Sequence, residues 1–224
     1  VNDGYVAVGY SDSTEGDLVG LNKGLHDAII VKYDHHGNVK WKKNFGGTEN
    51  EQFNSVIATD DGFVAVGETN SVDEDLAGLN KEFGTALIVK YDNSGNVEWK
   101  NTLGGNGSYH FNSVTATTDG FIAAGNLNDQ AGIVKYDING NEIWKKTFGG
   151  SQLDFYQSII ATSDGFVAVG ETSSDDGDVT DLHKGGNDAI IVSYDHDGNI
   201  KWKKLFGGRM SEAFNSIIPA DDGY

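Results

Sequence analysis

The chain has 224 residues, 38% of them hydrophobic, with 31 glycines, one proline and no cysteine. It therefore holds enough apolar material for a packed interior and many tight turns, and it excludes disulfide and thiolate chemistry. Its 34 acidic against 16 basic residues give a formal charge of −18, which argues against a nucleic-acid partner, because phosphate binding relies on clustered Lys and Arg.

The first predicted strand, Tyr5–Tyr10, lies in DGYVAVG at Asp3. The same words return as DGFVAVG at Asp61, DGFIAAG at Asp119 and DGFVAVG at Asp164, and DGY recurs at Asp222. The chain opens on Val1, inside a repeated unit, and reads as a processed product or a fragment of something longer. No basic-then-apolar signal opens the given sequence, and no apolar run reaches the roughly 18 residues of a membrane span.

The second unit shows the repeat most fully. Phe53–Thr59 (strand A), Phe63–Glu68 (B), Ala86–Tyr91 (C) and Asn96–Leu103 (D) are short, rich in β-branched and aromatic residues, and bounded by Asp, Asn and Gly. A and B join through a DG hairpin. C and D join through D-x-x-G-N, where glycine supplies the positive φ the loop needs. Strand C is apolar almost throughout, as expected of a strand buried on both faces. Every unit carries one tryptophan on strand D, in WKKNFGG at Trp41, WKNTLGG at Trp99, WKKTFGG at Trp144 and WKKLFGG at Trp202. These four read as staples that dock each unit on its neighbour.

A four-stranded meander repeated in tandem and buried on both faces predicts an all-β chain, a β-propeller of four consecutive four-stranded antiparallel blades in one domain over residues 1–224. The units start near residues 3, 61, 119 and 164. ADDGY at Ala220 overlays VNDGY at Val1, so a strand A over Phe214–Pro219 is expected to pair with Tyr5–Tyr10 and close a four-blade ring. The duplicated DGY equally fits a piece of a larger propeller. On these residues, the run DGFVAVGET, an Asp-rich insert, DAIIVKYDHHGNVKWKKNFGG and FNSVIAT, the chain resembles the SBBP-type and related bacterial β-propeller repeats of secreted and cell-surface proteins. The resemblance covers all four units. It implies a propeller outside the cytoplasm, and it brings no catalytic set.

The B–C and D–A connections share one face of such a disc, and the long B–C inserts make it the irregular one. The inserts align an acidic pair, Glu15 and Asp17, Asp73 and Asp75, and Asp176 and Asp178, followed by Leu18, Leu21 and Lys23, by Leu76, Leu79 and Lys81, and by Val179, Leu182 and Lys184. The apolar members are expected to pin each loop. The carboxylates suit either Ca²⁺, the one cofactor considered, or solvated turns. The D–A loops place Glu51, Tyr109, Asp154 and Glu212 at one equivalent position ahead of strand A. Three carboxylates facing a common opening need a metal ion, loop N–H groups or the amides of Asn54, Asn112, Gln157 and Asn215.

With Tyr109, His110 and Phe155 on the same loops, the face reads as a binding surface. The function expected is a non-catalytic adhesion module with a protein or glycan ligand, secreted or on the cell surface. The alternatives are a structural spacer within a larger surface protein and a propeller hydrolase or lyase. The six histidines show no metalloenzyme spacing, and no G-x-S-x-G elbow is present.

Overall fold

The structure, a computed structural model, describes residues 3–79, 84–105 and 107–220. They form an all-β chain in which the regular elements other than strands are three single 3₁₀ turns, Gly16–Leu18, Glu74–Leu76 and Gly177–Val179. The first sheet takes β1 (Tyr5–Ser11), β2 (Asp27–Tyr33) and β3 (Val39–Phe45). The second takes β4 (Glu51–Ala58), β5 (Gly62–Thr69), β6 (Thr85–Asp92) and β7 (Val97–Leu103). The third takes β8 (Tyr109–Thr117), β9 (Gly120–Leu127), β10 (Gln130–Asp137) and β11 (Glu142–Phe148). The fourth takes β12 (Asp154–Thr162), β13 (Gly165–Thr172), β14 (Asp188–Tyr194) and β15 (Ile200–Phe206). Each sheet is a meander in chain order.

Two expectations need correction. The first sheet has three strands, not four, and β1 is hydrogen-bonded to β2 alone. Phe214–Pro219, expected as a strand A, forms no strand among the described residues. A strand is defined by its partner's ladder, and a β-like run without one keeps its pattern and loses its structure. The second DGY, at Asp222, and Lys81 lie outside the described residues.

The chain divides into two compact units, residues 1–111 and 112–224. In the first, β1 and β2 lie beside β4. Ala28, Ile30 and Phe45 of the first sheet pack on Phe53, Phe63, Ala65, Leu87, Val89 and Tyr91 of the second. In the second unit, β9 and β10 lie beside β12, and Ile122, Ile133 and Phe148 pack on Tyr156, Phe166, Ala168, Ile190 and Tyr194. Each large side chain buried here contributes about 2–3 kcal/mol. The 3₁₀ turns of the inserts add Leu76 and Val179, both fully buried, to these cores. Leu18, by contrast, stays partly exposed.

The tryptophans divide by unit. Trp41 meets Phe63 edge-on at 6.0 Å, donates its indole N–H to Asn93 O at 3.1 Å and lies against Gly95. Trp144 packs on Phe166 with ring centroids 6.5 Å apart and lies against Gly198. Trp99 is half-buried, and Trp202 is 38% exposed. The glycines of these two C–D turns thus serve twice: at Gly95 and Gly198 φ is +78° and +76°, and a Cβ there would strike the tryptophan ring.

Candidate binding face

The B–C inserts and D–A loops meet at one end of each pair of sheets. In the first unit, the two glycines that end β3 present their N–H groups to carboxylates. Gly46 donates to Asp75 Oδ2 at 3.1 Å and Gly47 to Glu51 Oε2 at 2.8 Å. Thr48 donates its N–H to Asp73 Oδ1 at 3.0 Å and its hydroxyl to Asp73 Oδ2 at 2.8 Å, and Glu49 N–H reaches Ser71 Oγ at 2.9 Å.

The second unit repeats the pattern atom for atom. Gly149 N–H bonds Asp178 at 3.2 Å, Gly150 N–H bonds Asp154 at 2.9 Å, Ser151 N–H bonds Asp176 at 2.7 Å and Gln152 N–H bonds Ser174 Oγ at 3.0 Å. The glycine pair of the WKK-x-FGG motif is needed because a Cβ on Gly47 would collide with Asp73 and Ser71, and one on Gly150 with Asp176 and Ser174. The lysine that follows a tryptophan completes the junction. Lys100 Nζ lies over the Phe45 ring and donates to Asp75 O, and Lys203 Nζ does the same with Phe148 and Asp178 O.

The acidic pairs are therefore taken up by backbone donors of the preceding D–A loop. Hydrogen bonds from the Thr48 N–H and hydroxyl hold Asp73 below the usual carboxylate range, and those from Ser151 do so for Asp176. Glu15 and Asp17 are exposed. Among the described residues, no group of three or more His, Asp or Glu side chains converges as a metal site.

Glu51 and Asp154, 1% and 0% exposed, point into their own junctions and not toward a common opening. Glu51 also accepts from Thr69 Oγ1 at 2.8 Å and Ser71 N–H at 3.1 Å, and Asp154 from Thr172 Oγ1 and from Ser174 Oγ at 2.9 Å. Glu212 accepts from Gly208 N–H at 2.9 Å. At the fourth equivalent position the Tyr109 hydroxyl stands over Gly105. The strand A amides bridge inner strands and do not serve the carboxylates: Asn54 donates to Phe111 O at 2.9 Å and Asn112 to Tyr156 O at 2.8 Å.

Of the aromatic candidates, His110 and Phe155 are half-buried. Burial lowers the His110 pKa against the pull of Glu68, which keeps the ring neutral near pH 7. The sequence did not single out Tyr10, Val19, Leu25 and Val72, which stand 55%, 71%, 56% and 47% exposed on the loop face of the first unit. The Tyr10 ring sits 5.1 Å from that of His26. For Tyr10 and Val72 the signal was an apolar residue at an insert position where the aligned units carry a polar one, as Tyr10 answers to Glu68 and Glu171 and Val72 to Thr14 and Asp175. The opposite end of the same unit has a cleft of about 600 Å³ lined by Asp3, Lys32, Lys40, Trp41, Asp60, Asn93 and Ser94. Its two lysines both pair with Asp3, at 3.0 and 3.2 Å.

No family model matches the chain, and no curated protein matches it. Among solved structures it is similar to a protein of unknown function from Bacteroides caccae, with 13% identity and a TM-score of 0.50 over 96% of this chain. The chain spans 62% of the length of that protein. At this identity the likeness concerns the fold alone. No helix among the described residues is long and apolar enough to cross a membrane.

Proposed function

We propose that the chain is a run of β-propeller blades of the bacterial surface-protein type it resembles, working outside the cytoplasm as a non-catalytic binding module. Its ligand is a protein or a glycan, held on the face built from the B–C inserts and D–A loops. The observation that carries this reading is the exposure of Tyr10, Val19, Leu25 and Val72 on that face, next to loops whose polar groups are consumed in fixing the loops themselves. Surface apolar groups on preorganised loops favour binding, because little ordering entropy is left to lose.

Two features support the propeller form. The same sheet-to-sheet junction occurs once in each unit, and the inner strands are bridged by the amides of Asn54 and Asn112. Calcium is no part of the proposal, since backbone donors already occupy Asp73, Asp75, Asp176 and Asp178. The test is retention on glycan arrays and of solubilised surface proteins by the immobilised wild type. Selective retention is expected. A blank result with the β circular-dichroism signal intact would favour the spacer alternative.

A further inference from the structure

The junction of the first unit holds a carboxylate oxygen that nothing satisfies. Asp27, at the start of β2, is 1% exposed. Its Oδ2 accepts the Lys23 N–H at 2.6 Å and the Asn44 amide at 2.7 Å. Its Oδ1 is buried and has no partner. That oxygen and Glu51 Oε2 converge on one side of Gly46, where a Cβ would collide with both. Glu51, equally buried, fills Oε1 with Thr69, Asn70 and Ser71 donors and uses Oε2 once, for Gly47 N–H. A lone pair of Oε2 therefore remains open where Asp27 Oδ1 arrives.

Two buried carboxylates meeting without a donor between them repel each other, and a single proton turns the repulsion into a charge-assisted hydrogen bond. We propose that Asp27 and Glu51 share one proton, carried on Asp27 Oδ1 and donated to Glu51 Oε2, and that its release at rising pH loosens the loops of the binding face.

The proton belongs on Asp27 because Glu51 already accepts four hydrogen bonds. Burial, and then the Glu51 charge, raise the Asp27 carboxyl against the pull of Lys23 and Asn44. The other charged groups around the pair are already engaged. Lys23 Nζ is paired with Asp75, which in turn holds Gly46 N–H, and His26 lies 4.0 Å from Asp12. The second unit brings Asp188 Oδ1, also without a partner, and Glu212 Oε2 together beside Gly207. There His183 Nδ1 stands 3.1 Å from Asp188 Oδ2, a neighbour that Asp27 lacks. A metal ion suits the first site poorly, because two carboxylate oxygens are far short of the six to eight that calcium takes.

Because the folded state raises the Asp27 pKa, its stabilisation is complete below the unfolded carboxyl pKa of about 3.9 and fades as pH rises through the folded value. Asp27→Asn is the direct test, since its amide can donate permanently to Glu51 while its oxygen still accepts from Lys23 and Asn44. The variant is expected to melt above wild type at pH 8, with the gain vanishing by pH 4. Glu51→Gln, which loses an acceptor, should melt below wild type at both. The infrared carboxylic-acid band of wild type at pH 6 should be weaker in Asp27→Asn. An Asp27→Asn variant that is destabilised at pH 8, fails to fold, or keeps the full acid band overturns the proposal. So does a wild-type melting temperature that rises with calcium and loses that rise in the variant.

Discussion

At the scale of single residues, the chain uses carboxylates as loop fasteners. Asp154 is buried and accepts from Gly150 N–H and from the hydroxyls of Thr172 and Ser174. Asp154→Ala would strand three donors at once, and a loss of about 3 kcal/mol is expected in urea denaturation. Asp73 and Asp176 act through pH. Their pKa values are lowered in the folded state, so what they contribute is present above the unfolded carboxyl pKa, about 3.9, and is lost as pH falls through the folded value. An Asp73→Asn, Asp176→Asn variant should therefore show a smaller drop in melting temperature between pH 5 and pH 2.5 than wild type. The sequence shows that these aspartates align. It hides their purpose, because the donors lie 25 residues earlier, in Thr48 and Ser151, and no local spacing points to them.

At the scale of elements, strands and turns were legible because each is specified within a few residues. Apolar runs mark the strands, DG and D-x-x-G-N mark the turns, and strand C is buried almost throughout, as its continuous hydrophobicity implies. The four C–D turn aspartates, Asp34, Asp92, Asp137 and Asp195, each accept the N–H of the asparagine four residues on. Strand A over Phe214–Pro219 was read from the same signals and does not form, because strand identity also depends on a partner that sequence pattern cannot supply. Backbone amides of residues 215–218 should exchange fast, and those paired within the β4–β5 ladder slowly, in native-state hydrogen exchange. The tryptophan staples differ in the same way. Trp41→Ala removes a ring contact and an indole hydrogen bond and should cost about 3 kcal/mol. Trp202, 38% exposed, should lose within about 1 kcal/mol on the same change.

At the scale of the whole molecule, one supersecondary unit is written four times and varied at its loops. Such repetition makes the fold legible and the function obscure, since residues that recur in every unit are spent on packing and turns. Function is then expected in what does not recur, and Tyr10, Leu25 and Val72 stand out for exposing apolar surface on the loop face. Val39 and Val97 expose similar surface at the opposite end of the same sheets. The decisive measurement is the affinity of a Tyr10→Ser, Leu25→Ser, Val72→Ser variant for whichever glycan or surface protein the wild type retains, beside that of a Val39→Ser, Val97→Ser variant. The first should bind at least about tenfold more weakly, about 1.4 kcal/mol, at an unchanged melting temperature, while the second binds as wild type does. Equal affinities for all three proteins, or a loss confined to the Val39 and Val97 variant, would contradict the placement of the binding face.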